Sequence, residues 1–275
     1  MTRLTSEDIK DIPASLAAYD RKLQQKTGMG LQEIGIRAAG YSAALLDNLE
    51  LSSRKAAVIP VTAGLGEITG FTPAVRAILE HLGFTAFITG AADVAGFREA
   101  LRKKAEIILL ADDNSFIAKN TNNSCWLDND RATARSYLTA LEALTGSLKD
   151  REVLILGGGR VGREAVEFLL EKQARPVATD IKERRLKLLE ENFKQNIKFF
   201  SPAEVNISRY SCIFDATPAR NIITEEMIDD ETYLAAPGIP AGFTSRAAER
   251  LGDRLIHDPL QLGVAAMAFT GLFES

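Results

Sequence analysis

EVLILGGGRVGREAVEFLLEKQARPVATD, Glu152 to Asp180, is the stretch that decides the fold. Val153–Leu156 is an apolar run short enough for a buried strand, and helical spacing runs from about Val161 to Glu171. Between them Gly157, Gly159 and Gly162 stand in the G-x-G-x-x-G spacing. The first glycine permits a tight turn, the second lets a pyrophosphate approach the backbone, and the third lets helix and strand pack closely. A helix opening near Val161, next to Arg160, turns unpaired N–H groups and its positive dipole end toward negative charge. Asp180, at the end of the next expected strand, completes the context that separates a dinucleotide site from an ordinary glycine turn. A carboxylate there accepts hydrogen bonds from adenine ribose hydroxyls and repels a 2′-phosphate, which favours NAD over NADP. Lys182, Arg184 and Arg185 are placed to pair with a phosphate, but they also read as the start of a solvated helix.

Downstream, CIFDATPARN (Cys212 to Asn221) and YLAAPGIP (Tyr233 to Pro240) are each a strand followed by a turn. Ligands of open α/β sheets sit beyond the carboxyl ends of the strands, so Thr217, Pro218, Pro237 and Gly238 are expected to border the nicotinamide half. Upstream, Thr5–Asp8 resembles a capping box, and Ile9, Ile12, Leu16, Tyr19 and Leu23 mark one face of a helix reaching Gly28. A second helix is expected over Leu31–Ala39. Then come a strand at Ala56–Val61, a helix from Thr72 to Leu82, a strand in FTAFIT, a helix capped by Asp93 and a strand at Ile107–Ala111. That order predicts an α/β fold: N-terminal helices and a βαβαβ substrate domain over residues 1–145, then a Rossmann NAD-binding domain with a mostly parallel sheet and a C-terminal helix over 146–275. Gly146 ends a helix running from Asp130 and is taken as the hinge.

Composition limits the partners. The chain has 275 residues, 46% hydrophobic and 25% charged, which suits an ordinary globular protein of two domains. A net charge of -4 offers no general attraction to nucleic acid or anionic lipid. No apolar run reaches the roughly 20 residues that span a bilayer, and MTRLTSEDIK lacks the apolar region of a signal peptide, so a cytoplasmic location without membrane contact is expected. Cys125 and Cys212 stand alone and read as buried free thiols. With only His81 and His257, and no C-x-x-C or H-E-x-x-H, no metal is expected. No G-x-S-x-G accompanies them, and both histidines read as structural. The amphipathic first helix and the apolar GVAAMAFTGLF at the C-terminus fit a homodimer interface or a core equally well.

Hydride chemistry with NAD requires no metal; the protein must orient a substrate and handle protons. Asp112, Asp113 and Asn114, at the end of the Ile107–Ala111 strand, provide charge that can hold a cationic amine. Side chains alternate along a strand, so one aspartate is expected to face the cleft. Asn120, Asn122, Asn123 and Asn129 follow as amide donors and acceptors. A solvated loop start or an Asx turn at Asp112 is the alternative.

Six motifs together carry a resemblance: L-T-S-E-D at Leu4–Asp8, P-V-T-A-G at Pro60–Gly64, I-T-G-A-A-D-V-A-G-F at Ile88–Phe97, L-A-D-D-N-S-F at Leu110–Phe116, D-A-T-P at Asp215–Pro218 and A-P-G-I-P at Ala236–Pro240. Over nearly its whole length the chain resembles the pyrrolysine synthase family. The resemblance implies a dipeptide substrate, 3-methyl-D-ornithine joined to the side-chain nitrogen of lysine. Its terminal amine would be oxidised by NAD to an imine, and loss of ammonia and attack by the α-amino group would then close the pyrroline ring. For such a substrate Asp112 is the carboxylate chosen to hold the amine, with Asp113 and Asn114 beside it; the resemblance implies that Asn129 contacts the substrate through its amide and that Thr62, Ala63 and Gly64 form a substrate loop. Archaeal members carry serine where this chain has Ala63, so no hydroxyl contact is expected there. Leu4 and the first helix match a segment that moves over the substrate. Two other readings stand beside this one. One is another NAD-dependent dehydrogenase of a small amine or hydroxy substrate, for which the lysine used by shikimate or methylene-folate enzymes is missing from the P-V-T-A-G-L-G loop. The other is a non-catalytic NAD-binding subunit.

Overall fold

The computed structural model describes residues 4–123 and 125–273, apart from the side chain of Gln195. It forms two compact units: the described residues up to Ser136 together with those from Pro259 onward, and Tyr137–Asp258.

The first unit opens with helices α1 (Ser6–Ile9), α2 (Ile12–Thr27) and α3 (Leu31–Ala38). One helix was expected to reach Gly28, but it is divided near Lys10, with Pro13 in the first turn of α2. Proline is favoured there because its missing N–H would have had no helical partner. The expected face survives the break: Ile9, Ile12, Leu16 and Leu23 are buried, and Tyr19 is half-buried. Thr5 donates its backbone N–H and its hydroxyl to the Asp8 carboxylate, each at 2.7 Å, which closes the start of α1. Strand β1 (Lys55–Ile59), helix α4 (Phe71–His81), strand β2 (Thr85–Ile88), helix α5 (Asp93–Arg102) and strand β3 (Ile107–Ala111) follow. β1 pairs in parallel with both β2 and β3, as the alternation of elements implied.

Beyond β3 the sheet turns back on itself. Strands β4 (Phe116–Asn120) and β5 (Trp126–Asp128) are antiparallel additions, giving the order β2-β1-β3-β4-β5. The alternating burial of Phe116, Ala118 and Asn120 is the period-2 signature of a strand covered on one face. Helix α6 (Asn129–Thr145) comes next, and the division between the units falls inside it. Helix α10 (Gln261–Phe273) closes the first unit; from Gln261 to Phe269 every residue is buried.

The placement of α10 corrects the expected boundary after residue 145, which put the C-terminal helix in the second domain. α10 packs on α3, where a Cβ on Gly35 would lie 2.8 Å from the Phe269 ring and 3.0 Å from the Ala265 carbonyl oxygen, so a glycine is needed for the two helices to meet. Gly146 marks the end of a helix rather than a border between units. Of the two readings open for its apolar residues, a homodimer interface or a core, α10 takes the core.

The second unit is a six-stranded sheet, all parallel, in the order β11-β10-β9-β6-β7-β8. The strands are β6 (Glu152–Leu156), β7 (Arg175–Thr179), β8 (Lys198–Phe200), β9 (Cys212–Asp215), β10 (Tyr233–Ala235) and β11 (Leu255–Ile256), with helices α7 (Arg160–Glu171), α8 (Glu183–Phe193) and α9 (Ser245–Leu251) between them. The order runs outward from β6 in both directions, so a topological switch point lies between β6 and β9, where ligands of such sheets bind. No helix among the described residues is long and apolar enough to cross a membrane.

Candidate functional site

The glycine-rich turn lies at that switch point. Gly157 has a φ of 97°, a region open to glycine, and its N–H donates to the Thr179 carbonyl at 2.8 Å, tying the turn to β7. A Cβ on Gly162 would lie 1.9 Å from the Gly157 carbonyl oxygen, so the first turn of α7 packs directly on the strand end. A Cβ on Gly159 would meet only the tip of Arg185, no nearer than 3.9 Å, so this glycine's face is open. Gly159 is also the N-cap of α7, and no side chain caps it. Arg160 is exposed and Val161 half-buried in the first turn. An open backbone face beside an uncapped helix N-terminus fits a pyrophosphate.

Asp180 follows β7 as expected, but its carboxylate has further work. Oδ2 accepts the Gly158 N–H at 2.9 Å and an Arg185 N–H at 3.1 Å, while Oδ1 accepts the Lys182 N–H at 2.7 Å. The carboxylate therefore fixes the glycine turn, and Arg185 offsets its charge. Arg185 thus forms part of this turn and not merely a solvated helix start.

At the ends of β9 and β10, Thr217 and Gly238 approach closely: a Cβ on Gly238 would be 2.2 Å from the Thr217 carbonyl oxygen. Thr217, Pro237 and Gly238 are half-buried and Pro218 is exposed. Asp215, absent from the expected site residues, lies beneath them and is fully buried. Its Oδ1 accepts the Thr217 N–H at 3.0 Å and the Thr217 hydroxyl at 2.7 Å. Oδ2 has no hydrogen-bond partner among the described residues. Burial raises the carboxyl to about 6, against the opposing pull of the Thr217 bonds and the charge of His257. The folded protein thus holds this proton more tightly than the unfolded chain does. Stability from it is present in acid and is lost as pH rises from about 4 through 6, on the order of 2–3 kcal/mol. Urea titrations at pH 4 and pH 8 check this: relative to Asp215→Asn, the unaltered protein should lose ground by that amount, and parallel behaviour would contradict the burial argument.

In the first unit, Asp112, Asp113 and Asn114 are not an open strand end but the tight turn joining β3 to β4. Asp112 Oδ1 accepts the N–H groups of Asn114 and Ser115, both at 2.8 Å, and Asp112 N–H donates to the Ser115 carbonyl at 2.9 Å. This is the Asx turn weighed as the alternative, formed because an aspartate oxygen can replace a backbone acceptor. Asp112 and Asn114 are exposed. Asp113 turns to the neighbouring loop: its Oδ2 accepts the Leu65 N–H at 2.7 Å, and a Cβ on Gly64 would lie 2.1 Å from that oxygen. Gly64 has a φ of 66°, so neither its conformation nor its neighbour tolerates a side chain.

The other end of the same loop is held by Asp93. Its Oδ1 accepts the Thr62 N–H at 2.9 Å and its Oδ2 the Thr62 hydroxyl, and these bonds, the hydroxyl's first, hold its carboxyl below the ordinary range. Asp93 was expected as the cap of α5; the cap is Ala92, and Asp93 is the first helical residue with a φ of 53°. Thr62, Ala63 and Gly64 therefore form an exposed loop fastened at both ends by carboxylates. Leu4 is half-buried just ahead of α1.

The expected string of amides is dispersed. Asn120 is buried at the far end of β4 from Asp112, its Nδ2 donating to the Gly271 carbonyl at 2.7 Å and its Oδ1 accepting the Asn122 N–H. Asn123 belongs to that same far turn, and its Oδ1 accepts the Cys125 N–H. These three shape the hairpin and are not beside Asp112. Asn129 is buried at the start of α6 against Gly263 of α10, where a Cβ would lie 2.9 Å from its Oδ1. Both histidines have structural contacts: His81 Nε2 with Asp20 Oδ2 at 2.8 Å, and His257 Nδ1 with the Ala236 carbonyl at 2.7 Å. Cys212 is buried as expected, but Cys125 is only half-buried. No group of three or more potential metal ligands is arranged to hold an ion among the described residues.

The fold and the glycine turn define the class: an α/β protein built like the shikimate and quinate dehydrogenases, with a Rossmann-type second unit. Residues 139–234 match the family described as shikimate / quinate 5-dehydrogenase. Shikimate dehydrogenase from Aquifex aeolicus superposes with a TM-score of 0.54 at 13% identity, over 79% of this chain and 89% of that one. Quinate dehydrogenase from Corynebacterium glutamicum, solved in complex with NAD, gives 0.54 at 11% identity over 81% and 94%. Residues 8–126 match the family described as pyrrolysine biosynthesis protein PylD, N-terminal domain. Pyrrolysine synthase from Methanosarcina barkeri is 34% identical over 99% of this chain and 98% of its own length, and that from Methanosarcina acetivorans is 32% identical over 98% and 99%. The chain belongs to the pyrrolysine synthase family.

Proposed function

We propose that the protein is an NAD-dependent, amine-oxidising dehydrogenase that forms the pyrroline ring of pyrrolysine from 3-methyl-D-ornithyl-N6-L-lysine. The observation that carries the dinucleotide part is the glycine turn, with Gly162 packed on Gly157 and the face of Gly159 open at the start of α7. Family membership supports the substrate.

In this reading Gly157, Gly159 and the first N–H groups of α7, at Arg160, Val161 and Gly162, hold the pyrophosphate. Asp180 receives the adenine ribose while keeping Gly158 in place, and Thr217, Pro218, Pro237 and Gly238 border the nicotinamide. NAD supplies the hydride acceptor for a carbon bearing an amine. The residues of the chain must hold that amine and manage its proton, because a primary amine releases hydride only after its ammonium proton has gone. Asp112 is assigned to hold the ammonium with the carboxylate capacity left by its turn bonds, and its exposure suits anchoring better than base catalysis. Asn129 supplies an amide to the substrate. In the Thr62–Gly64 loop Ala63 brings no hydroxyl, and Asp113 is better assigned to holding this loop than to touching the substrate. Leu4 and α1 cover the substrate, and such closure keeps water from the early imine. Loss of the ammonium proton to solvent beside the exposed Asp112, then of hydride from the carbon, would leave the protonated imine. Attack by the α-amino group on that carbon and departure of ammonia then complete the ring.

Mixing the purified protein with NAD⁺ and 3-methyl-D-ornithyl-lysine should raise NADH absorbance and give a product lighter by ammonia and two hydrogens. NADP⁺ in parallel should serve at least about tenfold less well, the effect of one unfavourable charge contact. Tight NAD binding with no NADH formed would remove the substrate assignment and leave the cofactor site.

A further inference from the structure

We propose that Asp215 is a positioning residue for the nicotinamide end of the dinucleotide site, bracing the Thr217–Pro218 turn against the Gly238–Gly242 segment. The inference rests on the dinucleotide reading above and deepens it.

Four contacts meet at this residue. Oδ1 holds the Thr217 N–H and hydroxyl, at 3.0 Å and 2.7 Å. The Asp215 carbonyl accepts the Gly238 N–H at 3.3 Å. Oδ2 points at Gly242, where a Cβ would lie only 1.8 Å away, and Gly242 is itself anchored by its carbonyl, which accepts the Ile223 N–H at 2.9 Å. Thr217 in turn touches the glycine-rich turn, its Cγ2 lying 3.1 Å from where a Cβ on Gly157 would be. One fully buried carboxyl therefore sets the separation of two loops, each of which carries residues assigned to the nicotinamide.

A carboxyl kept out of water with one oxygen lacking a partner is costly, because burying a polar group without a hydrogen bond loses its hydration. Leucine or alanine would avoid that cost but would leave the Thr217 N–H and hydroxyl without this acceptor. A group that spans two loops and presents a flat, branched acceptor to Thr217 has a geometric use that neither offers. The acidic half of the carboxyl is replaceable: an amide has the same shape and keeps the Oδ1 acceptor.

Binding of NADH and of ADP-ribose, which lacks the nicotinamide, separates the two halves of the site. In Asp215→Ala, NADH affinity should fall tenfold or more while ADP-ribose affinity stays within about twofold of the unaltered protein, the span expected when a distant contact is preserved. Asp215→Asn should restore most of the NADH affinity. Equal NADH affinity in the unaltered protein and Asp215→Ala, or equal losses for both ligands, overturns the proposal. Should Asp215→Ala fail to fold, Gly242→Ala, which presses on Oδ2, decides by the same comparison. If the unaltered protein binds neither ligand, the dinucleotide reading falls and this inference falls with it.

Discussion

For Asp112→Asn, kcat/KM with the dipeptide should fall about 10–10²-fold, the loss of one hydrogen bond to a charged group, with melting temperature and NADH affinity unchanged. Asparagine is the informative substitution because Asp112 has two tasks. Its Oδ1 builds the turn between β3 and β4 by accepting from Asn114 and Ser115. An asparagine carbonyl accepts the same two bonds, so the turn persists while the negative charge is removed. Asp112→Ala removes both and cannot separate them. A steady-state assay with the dipeptide, alongside a melting curve, makes the comparison. If Asp112→Asn keeps full activity and only Asp112→Ala loses it, the residue is a turn former and the amine must be held elsewhere.

Gly162→Ala should abolish measurable NADH binding, a loss of about 100-fold or more, and should lower stability by about 1–3 kcal/mol through overpacking. The obstacle is the backbone carbonyl of Gly157 at 1.9 Å, which cannot move aside as a side-chain tip would. Relief requires α7 to shift away from β6, and that displaces the N–H groups assigned to the pyrophosphate. Gly159→Ala is the matched control. Its Cβ meets nothing of the protein nearer than 3.9 Å, so stability should hold, while the added methyl enters the space assigned to the pyrophosphate and weakens binding. Isothermal titration of both variants, with denaturant melts, reads the two effects separately. Unchanged NADH affinity in Gly159→Ala would mean that the phosphates lie elsewhere.

Elements whose reasons are local were legible in the sequence. β6, the glycine turn, α7 and β7 follow from an apolar run, three spaced glycines and a helical period, all within Glu152–Asp180. β3 appears over the residues expected of it. The hairpin was missed because its turn is made by one side-chain oxygen of Asp112, and because Asn120 occupies an inward position in β4 that reads as loop composition until its Gly271 partner is known. Asp113 and Asp93 were visible as acids, but their hold on the Thr62–Leu65 loop joins residues 31 and 48 positions apart.

From residues alone, then, came the class of fold, the strand–glycine–helix unit of the second half and the six motifs that place the chain in its family, because each depends on short-range spacing. Tertiary structure decided what spacing cannot express. It gave the C-terminal helix to the first unit, since α10 finds in Gly35 a surface close enough to bury Phe269. It set Arg185 against Asp180, dispersed the asparagines to two ends of a hairpin, and buried Asp215 beneath Thr217 with Gly242 pressed against its second oxygen. The physical reason is common to all of these: a side chain's role follows from what approaches it, and the approaching groups come from distant parts of the chain.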